Sequence, residues 1–227
     1  FNHHGFTYLP NLMKAIILAA GRGERMRPLT DKTPKPLLKV AGKCLIDYHI
    51  EALVKAGITD IVINLAYLSE QIKNHVGDGS NYHATIEYSQ EFGDGLETAG
   101  GILNALPILG AQPFLVVNAD IYCQYPLEKL INQPFELAHL ILVPNPEHHP
   151  EGDFHLQANQ LLTRFAQPKY TYSGLGMYHP KLFINLPVGR IPLAPVLEFG
   201  MCKDSISGEL YKGDWFDIGT PERLAQL

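Results

Sequence analysis

The chain has 227 residues, 46% of them hydrophobic and 18% charged, with a net charge of -5 at pH 7 and a mean hydropathy of -0.03. That balance suits one ordinary globular domain, which at this size hides about 70% of its unfolded surface, and it argues against a disordered, collagenous or disulfide-stapled chain. No apolar stretch approaches the roughly 20 residues that a bilayer crossing needs, and the acidic excess argues against a nucleic-acid surface.

Residues 1–12 show no periodicity and precede Met13. They are expected to be an extension or expression remnant before a single domain over 13–227, and they lack the cationic start and apolar run of a signal peptide. A first strand is predicted over 14–19, running directly into Leu18-Ala19-Ala20-Gly21-Arg22-Gly23-Glu24-Arg25-Met26-Arg27-Pro28. Small residues and two glycines let backbone amides approach a polyphosphate, because no Cβ obstructs it. Two familiar loops are excluded by counting: Met26 stands where a dinucleotide fingerprint needs glycine, and Gly-Lys-Ser/Thr does not occur. Between Gly21 and Lys43, seven cations (Arg22, Arg25, Arg27, Lys32, Lys35, Lys39, Lys43) face two acids, Glu24 and Asp31. Such a patch attracts a compact anion, although a charge run by itself also reads as solvated surface. Thr33-Pro34-Lys35-Pro36-Leu37-Leu38 then sets a lysine between two prolines that restrict the backbone, which makes Lys35 a fixed cation and Arg25 a second.

A helix over 45–56 puts Leu45, Ile46, His49, Leu53 and Ala56 on one face, with Gly57 as its stop. Strands at 60–65, 85–88, 114–118 and 138–143 then alternate with helices at 69–76, 98–106, 127–132 and 192–202. Weaker strands are expected near 161–165, 175–178 and 214–217, and 221–227 reads as the start of a helix. This alternation predicts a parallel or mixed sheet built from βαβ units, with its ligand at the ends of the early strands. No repeat of the kind that builds a β-helix tail is present. Asp120 ends an apolar strand, where a carboxylate either caps a helix or needs a partner; Asp217, after Trp215-Phe216, reads the same way. His148-His149 have no second pair at zinc spacing and read as loop histidines. Cys44, Cys123 and Cys202 form no CxxC pair and suit reduced thiols in a cytoplasmic setting.

The run LAAGRGERMRPLT followed by TPKPLL resembles the two-part motif of the sugar-1-phosphate nucleotidyltransferases. The likeness continues at Glu97-Thr98-Ala99-Gly100-Gly101, Val116-Val117-Asn118-Ala119-Asp120, Ser173-Gly174 and Trp215-Phe216-Asp217-Ile218-Gly219-Thr220, and so covers nearly the whole chain. It implies a Rossmann-like three-layer α/β/α fold with a mixed, mostly parallel sheet. It also implies an enzyme that joins a nucleoside triphosphate to a sugar 1-phosphate and releases pyrophosphate. By the same resemblance, Ala19, Ala20, Gly21 and Gly23, with Glu97, Thr98 and Gly100, bind the nucleotide. Arg25, Lys35 and Asp120 carry catalysis, and Asp120 and Asp217 jointly hold Mg²⁺, a hard cation that needs only one or two carboxylates when phosphates supply the rest. Asn118, Asp153, Ser173 and Gly174 are assigned to the sugar, although Asp153 also reads as a turn aspartate and Ser173-Gly174 as a strand-entry turn.

Within the family, three features resemble the members that uridylylate N-acetylmuramate α-1-phosphate in peptidoglycan recycling: the run from Asn145 to Phe154, the ending DWFDIGTPERL and the lack of a β-helix tail. The implied substrates are then UTP and that sugar phosphate. The alternatives are GTP with mannose 1-phosphate, and dTTP or UTP with glucose 1-phosphate. The chain departs from many relatives in lacking Glu-Lys-Pro between the central strand and Ser173. A noncatalytic sensor of nucleotide sugars is the alternative of a different class, and such proteins usually lose the cations and acids that are all present here.

Overall fold

The computed structural model describes residues 13–93 and 95–225. The expected N-terminal extension over 1–12 and the last two residues of the helix expected at 221–227 lie outside the described residues. Strand β1 (Lys14–Leu18) leads through three short 3-10 turns to a small hairpin of β2 (Lys39–Val40) and β3 (Lys43–Cys44), then α1 (Leu45–Lys55). Next come β4 (Asp60–Leu65), α2 (Ser69–Val76), β5 (Thr85–Gln90), α3 (Glu97–Leu109) and β6 (Phe114–Asn118). Beyond them lie β7 (Ile121–Cys123), α4 (Leu127–Ile131), β8 (Ala138–Val143), β9 (Phe154–Leu156), β10 (Leu162–Thr163) and β11 (Lys169–Tyr178). The chain closes with α5 (Leu193–Met201), β12 (Ile206–Leu210), β13 (Trp215–Asp217) and α6 (Pro221–Leu224).

Period-two alternation sorts the side chains of the central strands into two apolar layers. Ala15 and Ile17 of β1, Ile61 and Ile63 of β4, and Leu115 and Val117 of β6 pack with α1, α2 and α4. Ile16, Val62 and Val116 point the other way, against α3 and α5. The result is the expected three-layer α/β/α arrangement around a nine-stranded mixed sheet. Its order is β5-β4-β1-β6-β11-β8-β12, with β9 and β10 continuing from the start of β11. β5, β4, β1 and β6 are parallel, while β11 runs antiparallel to β6 and β8.

Register places the site. Leu18 pairs with Asn64 on one side and Asn118 on the other, and Asn64 pairs with Ser89. The segments that leave β1, β4, β5 and β6 therefore emerge side by side at one sheet edge, where open α/β sheets bind ligands.

Some elements differ from the sequence reading for physical reasons. α3 extends past Pro107 to Leu109, so that its last turn forgoes one backbone donor before Gly110 ends it. β11 is ten residues long where only 175–178 showed a strand pattern, because a register shift between Tyr172 and Gly176 breaks the alternation. β12 reads Ile-Ser-Gly-Glu-Leu, too polar to stand out. Gly208 nevertheless lets it lie close to β8, since a Cβ there would sit 2.7 Å from the Leu140 carbonyl oxygen.

Two histidines are part of this core. His49 faces inward from α1, as its periodicity predicts, and His139 lies in β8. Burial pushes each down to about 4 from 6.5. The folded chain keeps both neutral while the unfolded chain takes up protons below its ordinary value, so stability is full above pH 6.5 and is lost progressively toward pH 4. Urea unfolding at pH 5 is expected to show a loss of about 2 kcal/mol per histidine relative to pH 7, with His139→Gln losing correspondingly less; a pH-independent stability would contradict this.

Candidate active site

A cavity of about 500 Å³ opens at the edge where the parallel strands end. Its floor is the segment after β1. The Ala19 amide donates to Asn64 Oδ1 at 2.7 Å, and the Ala119 amide donates to the Leu18 carbonyl at 3.1 Å. Gly23 adopts φ +64°, and a Cβ there would lie 2.8 Å from Thr30 Cγ2. The Thr30 hydroxyl donates to the Gly23 carbonyl at 2.7 Å, so the loop folds back on the 3-10 turn that precedes the Lys35 segment. A Cβ at Gly21 would meet nothing, which leaves the cavity wall clear at that point.

Lys35 is carried by a 3-10 turn between its two prolines and is only 8% exposed. Its Nζ donates to Asp120 Oδ2 at 2.7 Å, with the aspartate side chain 38% exposed. A buried ammonium needs such a partner, because an unpaired charge in this setting costs several kcal/mol. Arg25 is exposed at the rim. Glu97, the first residue of α3, is held at φ +58°, unusual for a side chain with a Cβ, and Arg190 Nη2 donates to its Oε1 at 3.0 Å.

Of the residues singled out from the sequence, Ala19, Ala20, Gly21, Gly23, Arg25, Lys35, Glu97, Thr98, Asn118 and Asp120 all line this cavity. Five others stand elsewhere. The Gly100 amide donates to the Ile191 carbonyl at 3.1 Å, and a Cβ at Gly100 would collide with the Gly189 carbonyl, so this glycine lets the 189–191 segment pack on α3. Ser173-Gly174 lies at the irregular point inside β11 and is not a strand-entry turn. Gly174, at φ +85°, leaves room for the Asn118 amide 2.7 Å from where its Cβ would stand, while the Ser173 carbonyl accepts from Trp215 Nε1 at 2.9 Å. Asp153 accepts the Tyr172 amide at 2.8 Å and pairs with His149 Nε2 at 3.1 Å, tying the 145–153 loop to β11.

Asp217 belongs to a second cavity of about 810 Å³, lined also by Trp215, Phe216, His148 and Arg223. Its Oδ2 accepts from Arg223 Nη1 at 2.5 Å and lies 3.1 Å from His148 Nε2. The backbone nevertheless brings the two aspartates to adjoining positions, because β13 pairs with β7 and the Ile218 amide donates to the Asp120 carbonyl at 2.9 Å. Neither aspartate caps a helix: β7 follows Asp120, and Thr220 caps α6.

Asn64 and Glu91 are the residues that sequence reasoning missed. Glu91 is 4% exposed at the end of β5, its Oε1 accepts from Asn64 Nδ2 at 2.6 Å, and its Oε2 accepts the Leu96 amide at 2.8 Å. Burial pushes its carboxyl up, and these two donors oppose the shift. The chain Ala19 to Asn64 to Glu91 to Leu96 thus fixes the glycine-rich loop relative to the entry of α3. A carboxylate amid the glycines of 91–95 was the available signal. Glu91→Ala leaves the buried Asn64 amide and the part-buried Leu96 amide without their acceptor and is expected to lower the unfolding free energy by about 2 kcal/mol in urea titration; a change under roughly 0.5 kcal/mol would contradict the network.

The nucleotidyl transferase family model matches residues 14–227. The chain is 50% identical, over 94% of its length and 96% of the relative's, to N-acetylmuramate alpha-1-phosphate uridylyltransferase of Neisseria meningitidis serogroup B. It is 42% identical, over 92% of its length and 62% of the relative's, to mannose-1-phosphate guanyltransferase of Hypocrea jecorina. A crystal structure of a putative glucose-1-phosphate thymidylyltransferase from Bacillus anthracis, in complex with a sucrose, shares the fold with a TM-score of 0.81 at 23% identity, covering 94% of this chain and 93% of that one. The family model over nearly the whole chain, together with 50% identity along almost the full length of the Neisseria enzyme, shows that the chain belongs to the nucleotidyl transferase family.

Proposed function

We propose that this chain transfers the uridylyl group of UTP to N-acetylmuramate α-1-phosphate, releasing pyrophosphate and forming UDP-N-acetylmuramate. The choice of substrates is carried by the 50% identity, along almost the full length of both chains, to the Neisseria enzyme of that name. The chemistry is supported by the buried Lys35 beside Asp120 at the mouth of the glycine-rich loop.

In this reading an oxygen of the sugar phosphate attacks the α-phosphorus of UTP, and the bond to the bridging oxygen breaks as pyrophosphate leaves. The nucleophile is already an anion at neutral pH, so no general base is required and the obstacle is repulsion between two anions. Lys35 orients and screens the attacking phosphate, and Arg25, exposed at the rim, neutralises the departing β and γ phosphates. Backbone amides of Ala20 to Gly23 cradle the triphosphate, and Glu97 and Thr98 stand at the entry of α3 near the base and ribose. Asn118 and the Ser173-Gly174 segment that backs it face the sugar.

The donor set fits a magnesium ion. Asp120 and Asp217 offer carboxylate oxygens alone, Asp217 ends β13 and pairs with Ile121, the residue after Asp120, and their side chains are 38% and 22% exposed. When bound there, the ion would supply charge screening between the two phosphates. Arg223 and His148 hold Asp217 in position, and Asp153 ties the loop that carries His148 and His149 to β11. The three cysteines are unpaired, which agrees with a cytoplasmic role in peptidoglycan recycling. Among the described residues no helix is long and apolar enough to cross a membrane.

A second reading, guanylyl transfer to mannose 1-phosphate, is favoured by the 42% identity to the Hypocrea enzyme. Pyrophosphate release decides between them. UTP with N-acetylmuramate 1-phosphate is expected to give a kcat/KM at least tenfold above GTP with mannose 1-phosphate or dTTP with glucose 1-phosphate, and the reverse order would reject the proposal. Chelation by EDTA is expected to abolish turnover and excess Mg²⁺ to restore it, whereas turnover that survives chelation would exclude the metal role of Asp120 and Asp217.

A further inference from the structure

We propose that Cys44, Asp47 and His75 form a zinc site between α1 and α2, separate from the active site. Among the described residues, these three offer one ligand atom each, a thiol sulfur, a carboxylate oxygen and an imidazole nitrogen, all within 4.8 Å of one another.

The fold explains why they meet. Cys44 ends β3 and directly precedes α1, Asp47 stands in the first turn of α1, and His75 in the last turn of α2. Ile46 and Ile50 of α1 and Ile72 and Val76 of α2 are buried in one apolar layer, which holds those two helix ends against each other. His75 Nε2 lies 2.8 Å from Asp47 Oδ1, and the Tyr82 hydroxyl donates to that same oxygen at 2.8 Å. An outer partner of this kind orients a ligating carboxylate.

The donor chemistry selects the ion. A thiolate, an imidazole and a carboxylate suit zinc, while Mg²⁺ and Ca²⁺ take oxygen ligands throughout. With metal-ligand bonds of about 2.0–2.3 Å, tetrahedral zinc sets its ligand atoms roughly 3.4 Å apart. The Asp47–His75 contact therefore has to open only slightly, and water completes the fourth position. Cys44 is 6% exposed, and the Asp47 and His75 side chains are 13% and 35% exposed, so the ion can enter from the His75 side. None of the three lines either cavity described above. The site is consequently a clamp: it ties the entry of α1, where the segment bearing Lys35 ends, to the end of α2.

Cobalt and zinc titrations of the EDTA-treated, dialysed chain test this. One equivalent of Co²⁺ is expected to produce a thiolate-to-cobalt charge-transfer band that Zn²⁺ displaces, and Zn²⁺ is expected to raise the thermal midpoint by several degrees. Cys44→Ser should abolish the band and His75→Gln should weaken Zn²⁺ binding at least tenfold, with Mg²⁺-supported pyrophosphate release unchanged in His75→Gln. The proposal is overturned by the absence of a band, by a band that survives Cys44→Ser and so belongs to Cys123 or Cys202, or by unaltered zinc affinity in His75→Gln. Zinc held instead by Asp217 and His148 would give no thiolate band and is the same negative result.

Discussion

An ammonium group with little access to water has to be met by an anion, and in this chain Lys35 is met by Asp120 at 2.7 Å. Both ends of that contact are built from far-reaching parts of the fold. On the lysine side, the Leu37 amide donates to Pro34 and the Leu38 amide to Lys35 itself, and the Leu45 amide reaches back to the Leu38 carbonyl, which joins the turn to the start of α1. Gly23 leaves the space that the Thr30 methyl group fills beside Lys35. On the aspartate side, β6 delivers Asp120 from the centre of the sheet and the Ile218 amide fixes its carbonyl. The loop, the turn and the β7–β13 ladder are arranged so that this pair stands where the parallel strands end.

The pair also changes what the charge pattern means. The sequence shows a cationic run in an acidic chain, but the cavity itself is lined by Arg22, Arg25, Lys35 and Arg190 alongside Glu24, Glu91, Glu97 and Asp120. Three of these acids already have partners: Glu91 accepts from Asn64 and the Leu96 amide, Glu97 pairs with Arg190, and Asp120 pairs with Lys35. In the proposed reading, an incoming polyphosphate meets Lys35 and Arg190 already paired with Asp120 and Glu97, so its binding exchanges carboxylate partners rather than filling a static positive field.

What the sequence disclosed was local. The glycine-rich loop and the Pro-Lys-Pro turn are contiguous motifs whose chemistry is written in neighbouring residues, whereas the joint role expected of Asp120 and Asp217 came from the family resemblance; the alternation of Ile16 with Ile17 or Ile61 with Val62 predicts a strand with two buried faces. What stayed hidden depends on register between distant strands. Asn64 meets Glu91 across 27 residues, and His148 meets Asp217 across 69. His148 and His149 read as ordinary loop histidines, yet each supports an aspartate that the sequence had singled out. Gly100 shows the converse, since its motif points to the nucleotide while its missing side chain serves packing against Gly189.

The Lys35–Asp120 pair is most directly tested by a double-mutant cycle on pyrophosphate release, using Lys35→Ala, Asp120→Asn and the double variant. If the two side chains act as one unit, each single change lowers kcat/KM by on the order of 10² or more and the double variant is hardly worse than the poorer single. Losses that multiply, or a Lys35→Ala enzyme with nearly full turnover, would contradict the account.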